Sequence, residues 1–282
     1  MIKQYPSKPE LETAFKTIRQ AQVPQIPDVV LALRAELART EPNVKAVANL
    51  IAQDLALTGQ ILKRVNSPVF ALSKKVTSVQ QAVSLIGINR LVNLVTAEAV
   101  ERLLEHPPGA ARVIWESIME QAQVAVAIAQ KVTDLSLEEV YLFGIMHDVG
   151  SLIFAEQLDN YGYEWVLRSG SPQSLLAHEQ AALGVDHTTV GFLLASIWQL
   201  PDHLTLAIYH HHAANYQQLE DARVRALVAI TQLTHALMAL PFGTHDQPEM
   251  LAYRDRGRLE LDISEEDWAG LCKHAMEGSW PS

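Results

Sequence analysis

A histidine and an aspartate stand side by side in one of the most apolar stretches of the chain. Apolar side chains surround His147 and Asp148 on every side of a helix drawn through residues 140–156, the pattern of a buried helix. An ionised carboxylate in such a place is costly unless a cation or several hydrogen-bond donors meet it. The fold must therefore bring donors or a metal ion to Asp148.

Histidines are the candidates for meeting this carboxylate, because eight of the 11 lie between residues 147 and 235. Imidazoles combined with a carboxylate suit zinc, iron, manganese or nickel. Neighbours on a helix diverge by about 100°, so His211, which continues an apolar stripe, is predicted to face the core. The same reasoning places His210 on the flank and His212 in solvent. A metal site and a metal-free polar network both stay open.

The remaining sequence predicts an all-α fold. Apolar residues recur at helical spacing, and no run alternates long enough to require a sheet. A capping box at Ser136 and Glu139 is predicted to open the helix of the His-Asp doublet. Further helices are predicted at 88–105, 111–133, about 221–240 and 264–277. Other predicted helix starts are Asn43, Asp54, Ser78, Ser171-Pro172, Asp186, Pro201 and Ser264.

Composition bounds the class of protein. An apolar share of 49% and a charged share of 19% exclude wholesale disorder. The single cysteine, Cys272, excludes an intrachain disulfide and any thiolate-clustered metal site. No apolar run reaches membrane-spanning length and the N-terminus lacks a signal-peptide pattern, so a cytoplasmic protein is predicted.

Charge is unevenly placed along the chain. The net charge is −10, yet residues 1–90 hold 12 Lys/Arg against 6 Asp/Glu, and the remainder holds 10 against 26. The acidic total disfavours nucleic acid as a partner. The basic first third is either a solvated face or a contact for an anion, with Lys63, Arg64, Lys74 and Lys75 as the candidate cluster.

A series of short motifs runs through roughly residues 25–215. Those of the N-terminal half are Ile26-Pro27, Asp54, Ala56-Leu57-Thr58, Leu62, Asn66-Ser67, Ala82 and Leu85-Ile86-Gly87. Those of the C-terminal half are Trp115, His147-Asp148-Val149-Gly150, Glu179, Gly184-Val185-Asp186-His187, Gly191, Trp198, Leu200-Pro201 and Tyr209-His210-His211. In these residues and their order the chain resembles the HD superfamily of metal-dependent phosphohydrolases and, more narrowly, the HDOD family of bacterial signalling output domains.

The resemblance implies a multi-helix bundle with two lobes. Residues 1–24 are predicted to form an N-terminal helical arm, and residues 25–240 the HDOD domain. Within that domain, an N-terminal helical lobe (25–108) precedes an HD-like lobe (109–240), with the boundary at the Pro-Pro-Gly break of residues 107–109. Residues 241–282 form a C-terminal helical extension that docks on the domain or mediates self-association.

The chain departs from the catalytic HD pattern at positions that would bind the metal ion, and these departures bear on whether it is an enzyme. Ser117 takes the place of the first metal-binding histidine and Gln232 that of the final aspartate, while Ser151 replaces a frequent lysine. Serine and glutamine are weak neutral ligands for such metals. The resemblance therefore implies a degenerate site without confident catalytic residues. A residual metal set remains, drawn from His147, Asp148, His187, His210 and His211.

Two functions follow from this resemblance. The first is a non-catalytic signalling module that acts on separate proteins in trans, or on a small anionic ligand in a groove between the lobes. It requires no cofactor, although a divalent iron, manganese, nickel or zinc ion at the residual site is compatible with it. The alternative is a metal-dependent HD-type phosphohydrolase acting on a nucleotide or phosphomonoester.

Overall fold

The computed structural model describes residues 3–21, 25–67, 70, 75–104, 109–131 and 135–280. Within these ranges the regular structure is helical and contains no strand, which confirms the all-α prediction. The helices group into two units, residues 24–105 and residues 1–23 with 106–281. None of the helices in the described ranges combines the length and apolarity needed to cross a bilayer. The predicted division at residues 24, 108 and 240 stays a prediction.

The described residues of the unit 24–105 form five α-helices around an apolar core of their own. Asn43, Asp54 and Ser78 each accept a hydrogen bond from a backbone N–H of the first turn, which confirms all three predicted caps. Gly87 ends a helix with φ +87°, a conformation that favours glycine. The bounds are α2 Asp28–Leu37, α3 Val44–Ala52, α4 Leu55–Val65, α5 Val79–Ile86 and α6 Ile88–Leu104.

The larger unit holds the remaining helices and most of the predicted site. Asp186 caps α12 and Ser264 caps α16 through their side chains, as predicted. The bounds are α1 Lys8–Gln20, α7 Ala110–Ala129, α8 Leu137–Met146, α9 Val149–Gln157, α10 Tyr161–Leu167, α11 Pro172–Leu183, α12 His187–Ile197, α13 Asp202–His210, α14 Ala222–Met238, α15 Pro248–Leu261 and α16 Glu265–Glu277.

The predicted helix around the His-Asp doublet is wrong in two respects. The helix is interrupted at His147 and Asp148, so the doublet lies at the junction of α8 and α9. The predicted capping box is also absent, because Ser136 makes no side-chain cap. The Glu139 carboxylate instead pairs with His203 and Arg223 inside the unit.

Helix α15 was missed, since only two helices were predicted beyond residue 213. Its sequence carries many charges, and its buried residues are Met250, Tyr253 and Gly257. So sparse a pattern gives little helical periodicity to detect. Helix α15 nevertheless packs closely on α14, because a Cβ at Gly257 would lie 2.6 Å from the Leu233 side chain.

Candidate metal centre

Four buried side chains of the larger unit converge on one point. Asp148 comes from the α8–α9 junction, His187 from the start of α12, and His211 and His212 from the end of α13. One ligand atom of each lies within 4.8 Å of the corresponding atom of every other. All four side chains are buried, with 4% exposure at most. One carboxylate and three imidazoles are a donor set that suits divalent transition metals.

Two glycines allow the helices that carry these side chains to approach closely. A Cβ at Gly150, just after the doublet, would lie 2.1 Å from the His187 carbonyl oxygen. A Cβ at Gly191 would lie 2.9 Å from the Ile208 side chain. Any larger residue would push α9 and α13 away from α12. The glycines therefore place His187 beside Asp148.

The Asp148 carboxylate is the least satisfied group of the centre. Its Oδ1 lies 3.2 Å from His187 Nε2 and 3.4 Å from His211 Nε2, and these two nitrogens are 3.3 Å apart. No well-aligned hydrogen bond reaches this buried oxygen from the described residues. An unpaired buried carboxylate oxygen facing two nitrogens is the environment that a bound cation would complete.

The outer nitrogens of His211 and His212 are already engaged. His211 Nδ1–H donates to the Ile208 carbonyl at 2.7 Å, and His212 Nδ1 lies 2.9 Å from the Tyr253 hydroxyl. A ring whose Nδ1 carries the proton presents its Nε2 lone pair, as metal-binding histidines do. Burial lowers the pKa of His212 well below its usual value, which keeps that ring neutral.

The outer nitrogen of His187 meets a buried carboxylate. His187 Nδ1–H donates to Glu179 at 2.9 Å, and Glu179 also accepts from the His187 backbone N–H and from the Tyr161 hydroxyl. Burial alone would lower the pKa of His187, but Glu179 and Asp148 hold it well above its usual value. Without a metal the ring is thus an imidazolium between two carboxylates, and a metal ion would replace its inner proton.

His147 belongs to a different set of contacts. Its Nδ1–H donates to the Gly144 carbonyl at 2.7 Å, and its Nε2 lies 3.1 Å from the Gln121 amide. Burial, partly offset by Asp148, lowers the pKa of His147 to about 4, so the ring is neutral at pH 7. Its Nε2 faces Gln121 Oε1, and Gln121 Nε2 donates to the Ser117 hydroxyl oxygen at 3.2 Å. Asp148 Oδ2 lies 3.6 Å from the same His147 nitrogen.

Other predicted site residues lie apart from the four ligands. His210 Nε2–H donates to the Gln4 carbonyl at 3.0 Å. The Gln232 amide donates to the carbonyls of His211 and Ala213, so it supports the turn after α13. The prediction that His212 faces solvent is wrong, because α13 ends at His210 and the 100° step no longer applies beyond it.

The predicted anion-contact cluster lies in the unit of residues 24–105. Arg64 donates to both Glu101 oxygens at 2.7 and 2.9 Å and also pairs with Glu98. Its charge is therefore compensated within the unit. Lys63 and Lys75 are exposed, and Lys74 lies outside the described residues.

Three residues around the centre were not assigned to the site from the sequence, although His235 was among the clustered histidines considered. The rings of His235 and His212 lie 5.2 Å apart, and His235 Nε2 is buried without a partner among the described residues. The density of histidines was a signal for it. Gln121 and Tyr253 gave no signal, since one is an ordinary helix glutamine and the other lies more than 40 residues beyond His212.

A cavity of about 460 Å³ leads to the centre within the larger unit. Asp148, His212 and His235 line it beside Ser117 and Gln121. Its apolar lining includes Val113, Trp165, Val166, Leu167, Met238 and Phe242. The candidate centre therefore opens into this cavity on its Asp148 and His212 side.

Sequence comparison finds curated relatives of this chain. An uncharacterized protein from Treponema pallidum (strain Nichols) is 25% identical over 217 residues, which are 75% of this chain and 42% of that protein. The chain spans less than half the length of the curated relatives it matches.

Crystal structures show the same fold. One is an HDOD domain protein of unknown function from Geobacter sulfurreducens, with TM-score 0.62, 21% identity and coverage of 96% of this chain and 98% of that one. Another is a provisionally assigned phosphohydrolase from Shewanella amazonensis, with TM-score 0.65, 20% identity and coverage of 94% and 93%. The HDOD domain profile matches residues 23–214, as the sequence motifs predicted. This chain therefore belongs to the HDOD domain family.

Proposed function

We propose that this protein is a non-hydrolytic regulatory module that acts on separate proteins in trans and holds one divalent transition-metal ion as a structural element. The observation that carries the proposal is the hydrogen-bond chain from Ser117 through Gln121 to His147. It links the histidine of the doublet to Ser117, the residue at the position where a catalytic HD site would have its first metal-binding histidine.

The ligand set supports a structural ion. Asp148, His187, His211 and His212 together offer four protein donors, which fill a tetrahedral shell. Structural zinc sites are closed in this way, whereas catalytic sites keep one position for water or substrate. When bound, such an ion would neutralise Asp148 and fix the junctions that carry its ligands.

The cavity wall supports the absence of phosphate chemistry. A phosphohydrolase needs positive charge to hold the transferred phosphate. Arg168 is the one Lys or Arg side chain in the described lining, and it pairs with Glu164. Glu116 and Glu120 line the same cavity. A phosphate ester entering it would meet carboxylates and no uncompensated cation from the described residues.

A metal-dependent phosphohydrolase is the second candidate. The observation that favours it is the cavity, which reaches both Asp148 and His212 and would give a substrate access to the ion. One structural neighbour is also described as a phosphohydrolase. A metal with more than four coordination positions would leave room for a reacting water.

Metal analysis followed by hydrolysis assays separates the two. Purified protein loaded with manganese, iron, nickel or zinc would be assayed with a phosphomonoester and a nucleotide, beside Asp148→Ala. We expect about one bound ion per chain and no turnover above that of Asp148→Ala. Metal-dependent turnover that Asp148→Ala abolishes would establish the second candidate. Wild-type protein that binds no ion, and whose melting temperature does not change when metal is added, would contradict the structural role.

A further inference from the structure

The mouth of the cavity concentrates exposed apolar side chains. Val113, Val166, Leu167 and Phe242 are 49%, 51%, 60% and 77% exposed, and all four line it. Exposed apolar groups that cluster around a concavity mark binding sites. The volume of about 460 Å³ lies within the range of small-molecule pockets. The cavity thus suits a ligand with an apolar body.

The charged side chains of the cavity wall indicate which charge a ligand should carry. Glu120 is exposed and has no ion-pair partner among the described residues, while Glu116 makes an exposed pair with Arg112 at 2.8 Å. Arg168 is compensated by Glu164. The electrostatic potential of the wall is therefore negative or neutral and disfavours an anionic ligand.

Two aromatic side chains and a free imidazole nitrogen suit a cationic head. Trp165 and Phe242 line the cavity, and aromatic faces attract ammonium groups. His235 Nε2 is buried and lacks a hydrogen-bond partner among the described residues, so it offers a polar contact to the ligand.

We propose that this cavity binds an organic ammonium ligand, with its charged head near Glu120 and the aromatic faces of Trp165 and Phe242, and its apolar body along Val113, Val166 and Leu167. Such a ligand would be the input of the regulatory module, so the inference rests on the function proposed above. It differs from the anionic ligand that the basic N-terminal third suggested.

Three probes that share a hexyl chain and differ only in the charge of their polar group test whether the cavity selects a cation. Binding of n-hexylammonium, n-hexanoate and n-hexanol would be followed by calorimetry and by tryptophan fluorescence. We expect the ammonium to bind at least about tenfold more tightly than the carboxylate, with the alcohol between them. Equal or tighter binding of hexanoate, or no binding of any probe at millimolar concentration, would overturn the proposal.

A variant of the wall locates the head. Glu120→Gln should weaken hexylammonium binding about fivefold and leave hexanol binding unchanged, because only the charge is removed. Glu41→Gln, an exposed glutamate of the other unit, is the matched control and should change neither. Both sites are on the surface, so the variants should fold. Unchanged hexylammonium affinity in Glu120→Gln would contradict the assignment.

The titrations would be run on both chelator-treated and zinc-loaded protein. Ammonium selectivity in the metal-free protein tests the cavity alone. Hydrolytic turnover would contradict the proposed regulatory function but would not change this selectivity. A failure of the proposed function can therefore be told apart from a failure of the proposed ammonium site.

Discussion

The larger unit buries two carboxylates nine residues apart, Glu139 on α8 and Asp148 at the α8–α9 junction. They differ in whether hydrogen-bond donors satisfy their oxygens. Glu139 Oε1 accepts from His203 at 2.5 Å, and its Oε2 accepts twice from Arg223, at 2.7 and 3.1 Å. Asp148 Oδ1 faces imidazole nitrogens at 3.2 and 3.4 Å and has no aligned donor among the described residues.

The difference separates a structural ion pair from a binding centre. Burial of a charged group is tolerated where donors satisfy each oxygen, as they do at Glu139. At Asp148 the metal-free centre holds one imidazolium, His187, whereas His211 has its proton on the outer nitrogen and aims a lone pair inward. A lone pair does not satisfy a carboxylate, but together with the carboxylate it can bind a metal ion.

The largest expected effect is on metal affinity. Asp148→Asn keeps the shape of the side chain and removes its charge, so the affinity for zinc should fall at least about 100-fold. Competition with a chelating indicator measures it. Glu139→Gln is the matched control, because it neutralises the other buried carboxylate and should change the affinity less than about threefold. Equal losses in both variants would erase the distinction between the two sites.

The stability of the metal-free protein should fall more in Glu139→Gln than in Asp148→Asn. Glu139→Gln removes the negative charge and turns an amide NH2 group, itself a donor, toward His203 or Arg223, so the free energy of unfolding of the metal-free protein should fall by about 2 kcal/mol. The half-exposed position of Arg223 limits the loss, because water solvates it. Urea denaturation of metal-free wild type, Glu139→Gln and Asp148→Asn measures this. A larger loss for Asp148→Asn than for Glu139→Gln would show that Asp148 is also a structural ion.

A smaller effect is expected from the hydroxyl that orients His212. Tyr253→Phe removes the partner of His212 Nδ1 and should weaken zinc binding about tenfold. Tyr216→Phe is a close control, since the Tyr216 hydroxyl is buried without a partner in the described part of the chain. Equal zinc affinity in Tyr253→Phe and wild type would remove His212 from the ligand set.

The pH dependence of stability sharpens the role of Glu139. Burial alone would raise the pKa of Glu139, but His203 and Arg223 lower it below its usual value of 4.5. The unfolded chain then binds this proton more readily, so the stabilisation is complete above 4.5 and is lost as the pH falls through the lower folded value. The difference in unfolding free energy between wild type and Glu139→Gln should therefore shrink from about pH 7 to about pH 3.5. A constant difference would contradict the pairing.

The smallest effect is expected at Gln121. Gln121→Ala breaks the chain between Ser117 and His147, which lies outside the four ligands, so zinc affinity should change less than about threefold. A loss comparable to that of Asp148→Asn would place His147 in the ligand set.

Local sequence signals predicted more of the fold than of the centre. The caps at Asn43 and Asp186 were predictable because each side chain contacts a backbone N–H only three residues further on. Asp148 was singled out because burying its charge in an apolar helix is costly. His212 was misplaced because helical spacing fails where a helix ends. Tyr253 could not be found, since its contact with His212 joins segments 41 residues apart in the sequence. Periodicity reports local geometry and is silent about such contacts.

Anomalous diffraction from crystals of the zinc-loaded protein is the most direct test of the difference between the two carboxylates. We expect a single strong peak bound by Asp148 and by Nε2 of His187, His211 and His212, at about 2.0–2.2 Å from each donor. Glu139 should keep its contacts with His203 and Arg223. A peak bound by His147 or Glu139, or a centre that holds only a water molecule on Asp148 Oδ1, would contradict the assignment.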